Sequence, residues 1–336
     1  MTCHNCQTQC KKFGKDRHGL QRYRCRQCKR TLLEPHDRPL DEMRLPLEKA
    51  LLCLQMLMEG MSIRATSRIT GVHKTTILAL LIHAGQRCER LLAEKMRGIP
   101  AERLELDEIW TFVQKKQKRV RFGEPEEFGD QFVFVAIDPV TKLVPCFAVG
   151  KRNAATAWPF VQELRERTTG APQITTDGFR PYIRAIDDAF GADVDYAVLV
   201  KSFGTSQDGA GTYHPSRIVA VFHQVMFGDP EPRFISTSIV ERNNLTMRMQ
   251  MRRFTRLTNA HSKRLANLKA TLALHFAWYN FVRIHSSLRV TPAMEAGLTD
   301  HVGRFEELIS WKGETNRAKP AIHDRNNDLG QYPEVG

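Results

Sequence analysis

The sequence has no long apolar run and too few acidic residues to balance its basic ones. No stretch of its 336 residues reaches the roughly 18 apolar residues that a bilayer-spanning helix needs. The first residues, "MTCHNCQTQC", contain no apolar signal core, so we expect neither export nor membrane contact. The formal net charge is +13, and apolar residues make up 42% of the chain, which excludes disorder. This balance predicts a folded protein that binds a polyanion such as nucleic acid.

A disulfide framework is also missing. Half of the eight cysteines form two C-x2-C pairs, Cys3 with Cys6 and Cys25 with Cys28, a spacing typical of zinc sites. Each pair can turn two sulfurs to one side, so two pairs on a short hairpin supply four tetrahedral ligands. We predict a zinc ribbon over residues 1–34 with one structural Zn²⁺ that provides its folding energy. Free buried thiols or disulfides are the alternatives.

Basic side chains crowd this ribbon, with almost no acids among them and with aromatic rings interleaved. The pattern favours contact with DNA phosphates over a merely solvated charged face. The crowded residues are Lys11, Lys12, Lys15, Arg17, Arg22, Arg24, Arg26, Lys29 and Arg30. From this set, Arg22, Arg24 and Arg26 are the predicted DNA contacts.

Residues 35–100 are predicted to form a linker followed by a helix-turn-helix unit. The first helix, "LEKALLCLQMLMEG", would stop at Gly60, and Ser62 would cap the second helix, "IRATSRIT". Gly71 breaks that helix, and Thr75 is the predicted cap of the third. A plain three-helix packing unit is the alternative. A helix-turn-helix would place these residues on DNA: Arg64, Arg68, His73, Lys74, Thr75 and Thr76.

From Ala101 the pattern changes to strands. "RLELDEIWTFV", "QFVFVAID" and "LVPCFAVG" read as three strands, "TAWPFVQELRERTTG" as an amphipathic helix, and "PQITTDG" as a buried strand. This order predicts an α/β layer with a mixed sheet over residues 101–295. In such sheets, side chains at strand ends converge on one rim.

Three carboxylates are predicted to meet at that rim. Asp107 lies in the first strand, Asp177 ends the strand after the helix, and Glu241 begins an otherwise arginine-rich helix. Such a trio can hold two Mg²⁺ (or Mn²⁺) ions about 4 Å apart, for in-line attack on a phosphodiester. Basic residues beyond Glu241 would neutralise the DNA backbone. The predicted contacts are Arg242, Arg248, Arg252, Arg253 and Lys263, and Arg256 follows the same pattern.

Other carboxylates compete for these roles. Asp138 also ends an apolar strand and is an alternative first ligand to Asp107. Glu108 adjoins Asp107, but alternation along a strand points its side chain to the opposite face. Glu241 has an alternative role as an acidic partner of a helix dipole.

Three motif blocks resemble transposases of the insertion-sequence-one family. They are "LDEIWTFVQKK", "TTDGFRPY" and "IVERNNLTMRMQMRRFTRLTNAHSK", in that order after the cysteine pairs and the helix-turn-helix pattern. The resemblance covers roughly residues 1–290. It implies a multidomain DDE recombinase with an α/β catalytic domain like ribonuclease H, in which Asp107, Asp177 and Glu241 form the DDE triad. The tail "HFAWYNFVRIHSSLRVTPAMEAGL" is similar to a closing segment of several DDE families.

The resemblance also implies a function. The enzyme would bind the terminal inverted repeats of its element, cleave the ends and join them to target DNA, as a homodimer or higher oligomer on double-stranded DNA. A cytoplasmic protein of the bacterial or archaeal nucleoid is expected. The stretch after Asp177 exceeds the compact family form, which predicts an insertion at about 183–232. Residues 296–336 are predicted to form a C-terminal helix and a flexible tail.

Two other functions fit the same motifs. A non-catalytic regulator on a transposase scaffold would bind a specific DNA sequence without cutting it. A structure-specific nuclease of the same fold would cut without needing a sequence reader. An intact acidic trio argues against the regulator, and the ribbon with a helix-turn-helix argues against the nuclease.

Overall fold

The computed structural model of the chain describes residues 1–16, 19–34, 40, 43–204, 218–255 and 258–311. Arg17, Arg256, most of the predicted linker and the predicted tail from 312 lie outside these ranges. The described residues form a mixed α/β protein with a mixed sheet and a separate cysteine cluster. No described helix is long and apolar enough to cross a membrane.

The N-terminal ribbon is a three-stranded antiparallel sheet. Its strands are β1 (Cys10–Lys15), β2 (Gln21–Cys25) and β3 (Thr31–Leu33). Cys10 pairs with Cys25 in the register of β1 and β2. The returning strand predicted from "LQRYRC" is therefore present, and it ends on a cysteine of the second C-x2-C pair.

Three helices follow in the predicted order: α1 (Leu47–Met58), α2 (Ile63–Thr70) and α3 (Lys74–Lys95). The Ser62 hydroxyl caps α2 by accepting from the Ala65 amide, and Gly71 ends α2 with φ of 71°. The predicted cap of the third helix is wrong. His73 caps α3, because its Nδ1 atom accepts from the Thr75 amide, so Thr75 lies in the first turn.

The central sheet has six strands among the described residues. They are β5 (Arg103–Val113), β6 (Gly129–Ile137), β7 (Phe147–Gly150), β9 (Gln173–Thr176), β10 (Asp195–Phe203) and β11 (Ile218–Phe227). Their order across the sheet is β11-β10-β9-β5-β6-β7. Strand β9 is parallel to both β5 and β10, and the other pairs are antiparallel. The short strands β4 (Ile99–Pro100) and β8 (Thr168–Thr169) form a separate two-stranded sheet.

Helices cover both faces of this sheet. On one face, α4 (Ala154–Arg167) and α5 (Pro181–Phe190) pack on β5, β6, β9 and β10 through one apolar core. On the other face, α6 (Ser238–Gln250) and α7 (Leu265–Phe281) share a second core with α1 and α3. The last described helices are α8 (Pro292–Glu295) and α9 (Phe305–Ser310).

The region of α1 to α3 and the sheet region share this second core. A Cβ added to Gly85 of α3 would lie 2.5 Å from Ala270 of α7, so these helices cross closely. A Cβ added to Gly60, which has φ of 78°, would likewise lie 2.6 Å from the Met249 carbonyl oxygen. The core therefore does not divide at residue 100, and the predicted boundary there stays a prediction.

The region at 183–232, predicted as an insertion, contains regular structure. It includes most of α5 and both strands of the β10–β11 hairpin, which widens the main sheet. Strand β11 was missed, although its run of β-branched and aromatic residues is typical of a strand.

Candidate metal centres and nucleic-acid interface

Two aspartates meet where neighbouring parallel strands run side by side. Asp107 lies within β5, and Asp177 directly follows β9. In the parallel register Leu106 pairs with Thr176, so the next residue on each strand is an aspartate. The parallel pairing of β5 with β9 therefore brings two of the three predicted acids together.

Glu108 completes this group. Oxygens of Asp107, Glu108 and Asp177 all lie within 4.8 Å of one another, and we call these three residues the acidic cluster. Alternation does direct Asp107 and Glu108 to opposite faces of β5. Asp107 contacts Asn244 of α6, whereas Glu108 contacts Arg152, which precedes α4. Glu108 nevertheless joins the acidic cluster, because a glutamate side chain is long enough to return to the same rim. The expectation that alternation separates Glu108 from Asp107 was therefore wrong.

Arg152 is the counterion of the acidic cluster. Its Nε donates to Glu108 Oε2 at 2.9 Å, and its Nη2 donates to Asp177 Oδ2 at 3.2 Å. The guanidinium also lies over the Phe179 ring, with its carbon 4.3 Å from the ring centroid. Phe179 is fixed in turn, since its amide donates to Asp177 Oδ1 at 2.9 Å. Sequence reasoning missed Arg152, which lies in a loop with no motif of its own.

Helix α6 is docked on the rim by a second buried glutamate. Glu105 Oε2 accepts from the amides of Ile239 and Val240 at 2.8 and 2.9 Å. A carboxylate from β5 thus caps the N-terminus of α6, where free amides and the helix dipole favour negative charge. One turn further along, Asn244 Nδ2 donates to Asp107 Oδ2 at 2.8 Å.

Glu241 therefore lies at the same rim, three residues before Asn244 on one helix face. Its carboxylate is not among those within 4.8 Å of one another. Instead it is paired with Lys201 of β10 and accepts from the Thr237 hydroxyl at 2.8 Å. The structure places Glu241 beside the acidic cluster, with its side chain turned to Lys201.

Burial and mutual repulsion disturb the titration of these acids. Burial, together with the charges of Glu108, Asp177 and Glu241, raises the pKa of Asp107 to about 7. The pKa of Glu108 is also raised, by burial and then by the charge of Asp177. Acids that repel one another in this way favour the binding of a cation.

The oxygen donors fit a divalent cation. Oxygens that share one Mg²⁺ at about 2.1 Å lie about 3 to 4.2 Å apart, within the spread of the acidic cluster. Glu108 has a side chain only 2% exposed, and its Oε1 atom has no hydrogen-bond partner among the described residues. A buried oxygen without a donor is costly unless a cation or a water satisfies it. The acidic cluster could therefore bind a divalent metal.

Asp138, the alternative to Asp107, has a different role. Its Oδ1 accepts from the Val140 amide at 2.7 Å, and its Oδ2 accepts from the Thr141 hydroxyl at 2.8 Å. Both oxygens close the turn after β6, as aspartates commonly do in turns.

The four predicted zinc ligands form a second group. The sulfurs of Cys3, Cys6, Cys25 and Cys28 lie within 4.8 Å of one another, and we call them the cysteine cluster. Tetrahedral zinc with bonds of about 2.3 Å separates its sulfurs by about 3.8 Å. The Sγ atoms of Cys3 and Cys28 are 3.6 Å apart, which fits a shared ion. The cysteine cluster could therefore bind zinc.

The thiols titrate very differently from one another. A hydrogen bond with the Thr8 hydroxyl lowers the pKa of Cys25 to about 6. A hydrogen bond with Cys28 and burial raise the pKa of Cys6 to about 12. Cys10 is buried beside Cys25 but stays outside the cysteine cluster.

The predicted DNA contacts of the ribbon and the three helices are mostly at the surface. Arg22 and Arg24 lie over the Phe13 ring, with guanidinium carbons 5.4 and 5.0 Å from its centroid. Arg26 is exposed, and Thr76 is half-buried. The exposed predictions of the helical region are Arg64, Arg68, His73, Lys74 and Thr75.

The predicted contacts after Glu241 divide into two kinds. Arg242, Arg252 and Lys263 are exposed, and Arg248 is half-buried. Arg253 turns inward, where its Nη1 donates to the Ser262 hydroxyl at 2.8 Å and burial lowers its pKa to about 10. The DNA contact of Arg253 stays a prediction, and the structure shows its guanidinium bound to Ser262 of its own chain.

Comparison with known proteins gives little. No family model and no curated protein matches the chain. A structure of the piggyBac transposase synaptic complex with hairpin DNA is similar over 79% of this chain and 70% of that chain, with 10% identity and a TM-score of 0.36.

Two structures of the Mos1 transposase have TM-scores of 0.17 at 18% identity. One is a paired-end complex with the left transposon end, which is matched over 41% of this chain and 54% of that one. The other is a strand transfer complex, matched over 44% and 57%. TM-scores this low do not identify the fold of this chain.

Proposed function

We propose that this chain is a DDE-type DNA transposase, with its cleavage centre at the rim formed by β5, β9 and α6. The observation that carries the proposal is the meeting of Asp107 and Asp177, 70 positions apart along the chain, with Glu108 and beside Glu241. The strand order β7-β6-β5-β9-β10 supports a ribonuclease H-like fold with β11 added at its edge. The resemblance of the three motif blocks supports the insertion-sequence-one family.

Asp107, Asp177 and Glu241 would hold two Mg²⁺ ions, with Glu108 as a further oxygen donor. Bound ions of this kind supply an activated nucleophile and stabilise the leaving oxygen of a phosphodiester. Asn244 orients Asp107, and Glu105 fixes the helix that carries Glu241. Glu241 would bind a cation after it leaves Lys201, while Arg152 contacts only one oxygen each of Glu108 and Asp177.

The surface supports a DNA substrate. The net charge of +13 and the exposed cations of the ribbon, α2 and α3 fit a polyanionic duplex. The cysteine cluster would hold one Zn²⁺, which stabilises the ribbon as a DNA-binding unit. Synapsis of two element ends would require at least a dimer.

A nicking assay tests the proposal. Purified wild-type protein, a supercoiled plasmid that carries the DNA flanking the gene, and Mg²⁺ should give end-specific nicks. Asp177→Asn should bind the same plasmid without nicking it. Asp187→Asn, which changes an exposed acid of α5, should nick like the wild type.

The other candidate functions predict different results. A wild-type protein that binds flanking DNA but never nicks it would be a regulator. Nicking that ignores the flanking sequence, and that survives Arg68→Ala with Lys74→Ala, would indicate a nuclease. Either result would overturn the assignment as a transposase.

A further inference from the structure

The loop between β5 and β6, residues 114–128, presents an unusual surface that the predicted DNA contacts do not include. Phe122 has a relative solvent-accessible area of 109%, so it is fully exposed. This is the highest value among the exposed large apolar residues of the described chain. Just before it, the segment 115–121 has five basic residues in seven and no acid. A fully exposed aromatic side chain within a basic segment combines the two groups that bind bases and phosphates.

The loop is braced from within. The Gln117 amide donates to Asp130 Oδ1, and the Asp130 amide donates to Gln117 Oε1, each at 3.2 Å. Glu124 pairs with Lys115 and accepts from the Arg121 amide at 2.7 Å. Gly129 allows this packing, since a Cβ there would lie 2.2 Å from Gln117 Oε1. Phe122 is therefore held out by an organised loop.

The acidic residues of the loop do not form ion pairs with the exposed basic residues on its outgoing side. Glu124, Glu126 and Glu127 all lie on the returning side of the loop, and Glu124 is engaged by Lys115. Among the described residues, no ion pair involves Lys116, Lys118 or Arg119, and all three are exposed. These three side chains are positioned for phosphate contact.

The loop also continues the surface that leads from the acidic cluster. Trp110 and Phe112 follow Glu108 at alternate positions, hence on the same face of β5. The loop begins beside the predicted contact Lys263, because the Gln114 amide donates to the Ser262 carbonyl at 2.9 Å. Val113, where the loop begins, is six strand positions beyond Asp107, about 20 Å along β5.

We propose that this loop is a DNA wedge. Lys116, Lys118 and Arg119 bind backbone phosphates, and the Phe122 ring inserts at a base step and stacks there. The proposal rests on the proposed function for its partner, duplex DNA. Charge favours DNA over a second copy of this chain, whose surface carries the same net positive charge.

The test compares two labelled duplexes of about 40 base pairs that differ only in a central mismatch. A mismatch lowers the cost of unstacking, so a wedge should bind the mismatched duplex about tenfold more tightly. Fluorescence polarisation with full-length protein measures both affinities. Phe122→Ala should lose this preference, Phe122→Trp should keep it, and Ile284→Ala, which shortens another exposed apolar side chain, should not change it.

The phosphate contacts have a separate signature. Lys118→Ala with Arg119→Ala should weaken binding to both duplexes and reduce the salt dependence by about two, while the preference for the mismatch remains. Melting temperatures of the Phe122 variants should equal that of the wild type, since the side chain buries no surface.

Three results overturn the wedge. Wild-type protein that binds both duplexes equally has no wedge. Phe122→Ala that keeps the preference shows that another residue provides it. Phe122→Ala that loses self-association in sedimentation shows that a second copy covers the ring. If wild-type protein binds neither duplex, the proposed function itself fails, which is distinguishable from all three.

Discussion

The cysteine cluster and the acidic cluster are similar in size but are assembled in different ways. The cysteine ligands all come from the first 28 residues, on two knuckles of one small sheet. The acidic ligands come from two strands 70 positions apart, and Glu241 approaches from a helix further along. A site whose ligands are close in sequence can be recognised from their sequence spacing alone. A site made by tertiary contacts also depends on the strand pairing and helix docking that bring its ligands together.

Their surroundings also differ. Thiols of the cysteine cluster contact one another and Thr8, as expected of a closed structural site. In contrast, Glu108, Asp177 and Glu241 form ion pairs with cationic side chains of the same chain, Arg152 and Lys201. The cysteine cluster is therefore surrounded by its own ligands, whereas the acidic cluster is balanced by cations of the same chain.

The largest effect should follow from the acidic cluster. Asp107→Asn removes a carboxylate that no neighbour can replace, so Mg²⁺-dependent nicking should fall by about a thousandfold or more. Binding to flanking DNA should be unchanged in an electrophoretic mobility assay. Asp138→Asn, the change at the alternative ligand, should nick within about threefold of the wild type. Nicking that depends on Asp138 and not on Asp107 would move the cleavage centre to the turn after β6.

The next largest effect concerns the cysteine cluster. Cys25→Ser should lose its zinc, because a hydroxyl does not replace a thiolate ligand, and the ribbon should unfold. Elemental analysis should give about one zinc per chain for the wild type and none for the variant. Cys10→Ser changes a neighbouring buried thiol outside the cluster and should keep its zinc. Equal zinc contents in all three proteins would exclude the four-cysteine site.

A smaller effect is expected where Glu105 links β5 to α6. Glu105→Ala leaves two amides at the start of α6 without their acceptor, which should lower the free energy of unfolding by about 2 kcal/mol. Glu105→Gln keeps an acceptor oxygen and should lose less. Chemical denaturation measures both, with Glu102→Ala as the control at an exposed acid of the same segment. Equal stabilities would show that Glu105 does not anchor the helix.

Strand β5 and the cysteine cluster were predictable, because their signals are local. The limits of β5 follow "RLELDEIWTFV" residue by residue, and the C-x2-C spacing identified the four sulfurs. The place of Glu108 in the acidic cluster was not predictable. Alternation along a strand predicts the face to which a side chain points, but not how far that side chain lies from a residue on a neighbouring strand. Arg152 and Lys201 were also missed, since their roles arise only when loops and β10 fold against the rim.

The pH dependence of stability should report the raised pKa of Asp107 in the acidic cluster. Burial raises the folded pKa of Asp107 to about 7, so the folded protein holds this proton more tightly than the unfolded chain. The resulting stabilisation is complete below the unfolded pKa of about 3.9 and is lost as pH rises through about 7. Without divalent cations, wild-type stability should therefore fall relative to Asp107→Asn between about pH 4 and pH 7. Denaturation with a chelator present measures this difference, and a constant difference across that range would contradict the raised pKa.

The smallest effect tests whether Arg152 competes with cations or organises their ligands. If the guanidinium only neutralises Glu108 and Asp177, Arg152→Ala should tighten Mn²⁺ binding about threefold in calorimetry, because a competing charge is gone. Arg165→Ala removes a similar ion pair with Asp193, away from the cluster, and should leave Mn²⁺ affinity unchanged. Weaker Mn²⁺ binding by Arg152→Ala would mean that Arg152 holds the two carboxylates in place. The acidic cluster would then resemble the cysteine cluster in being organised before its metal arrives.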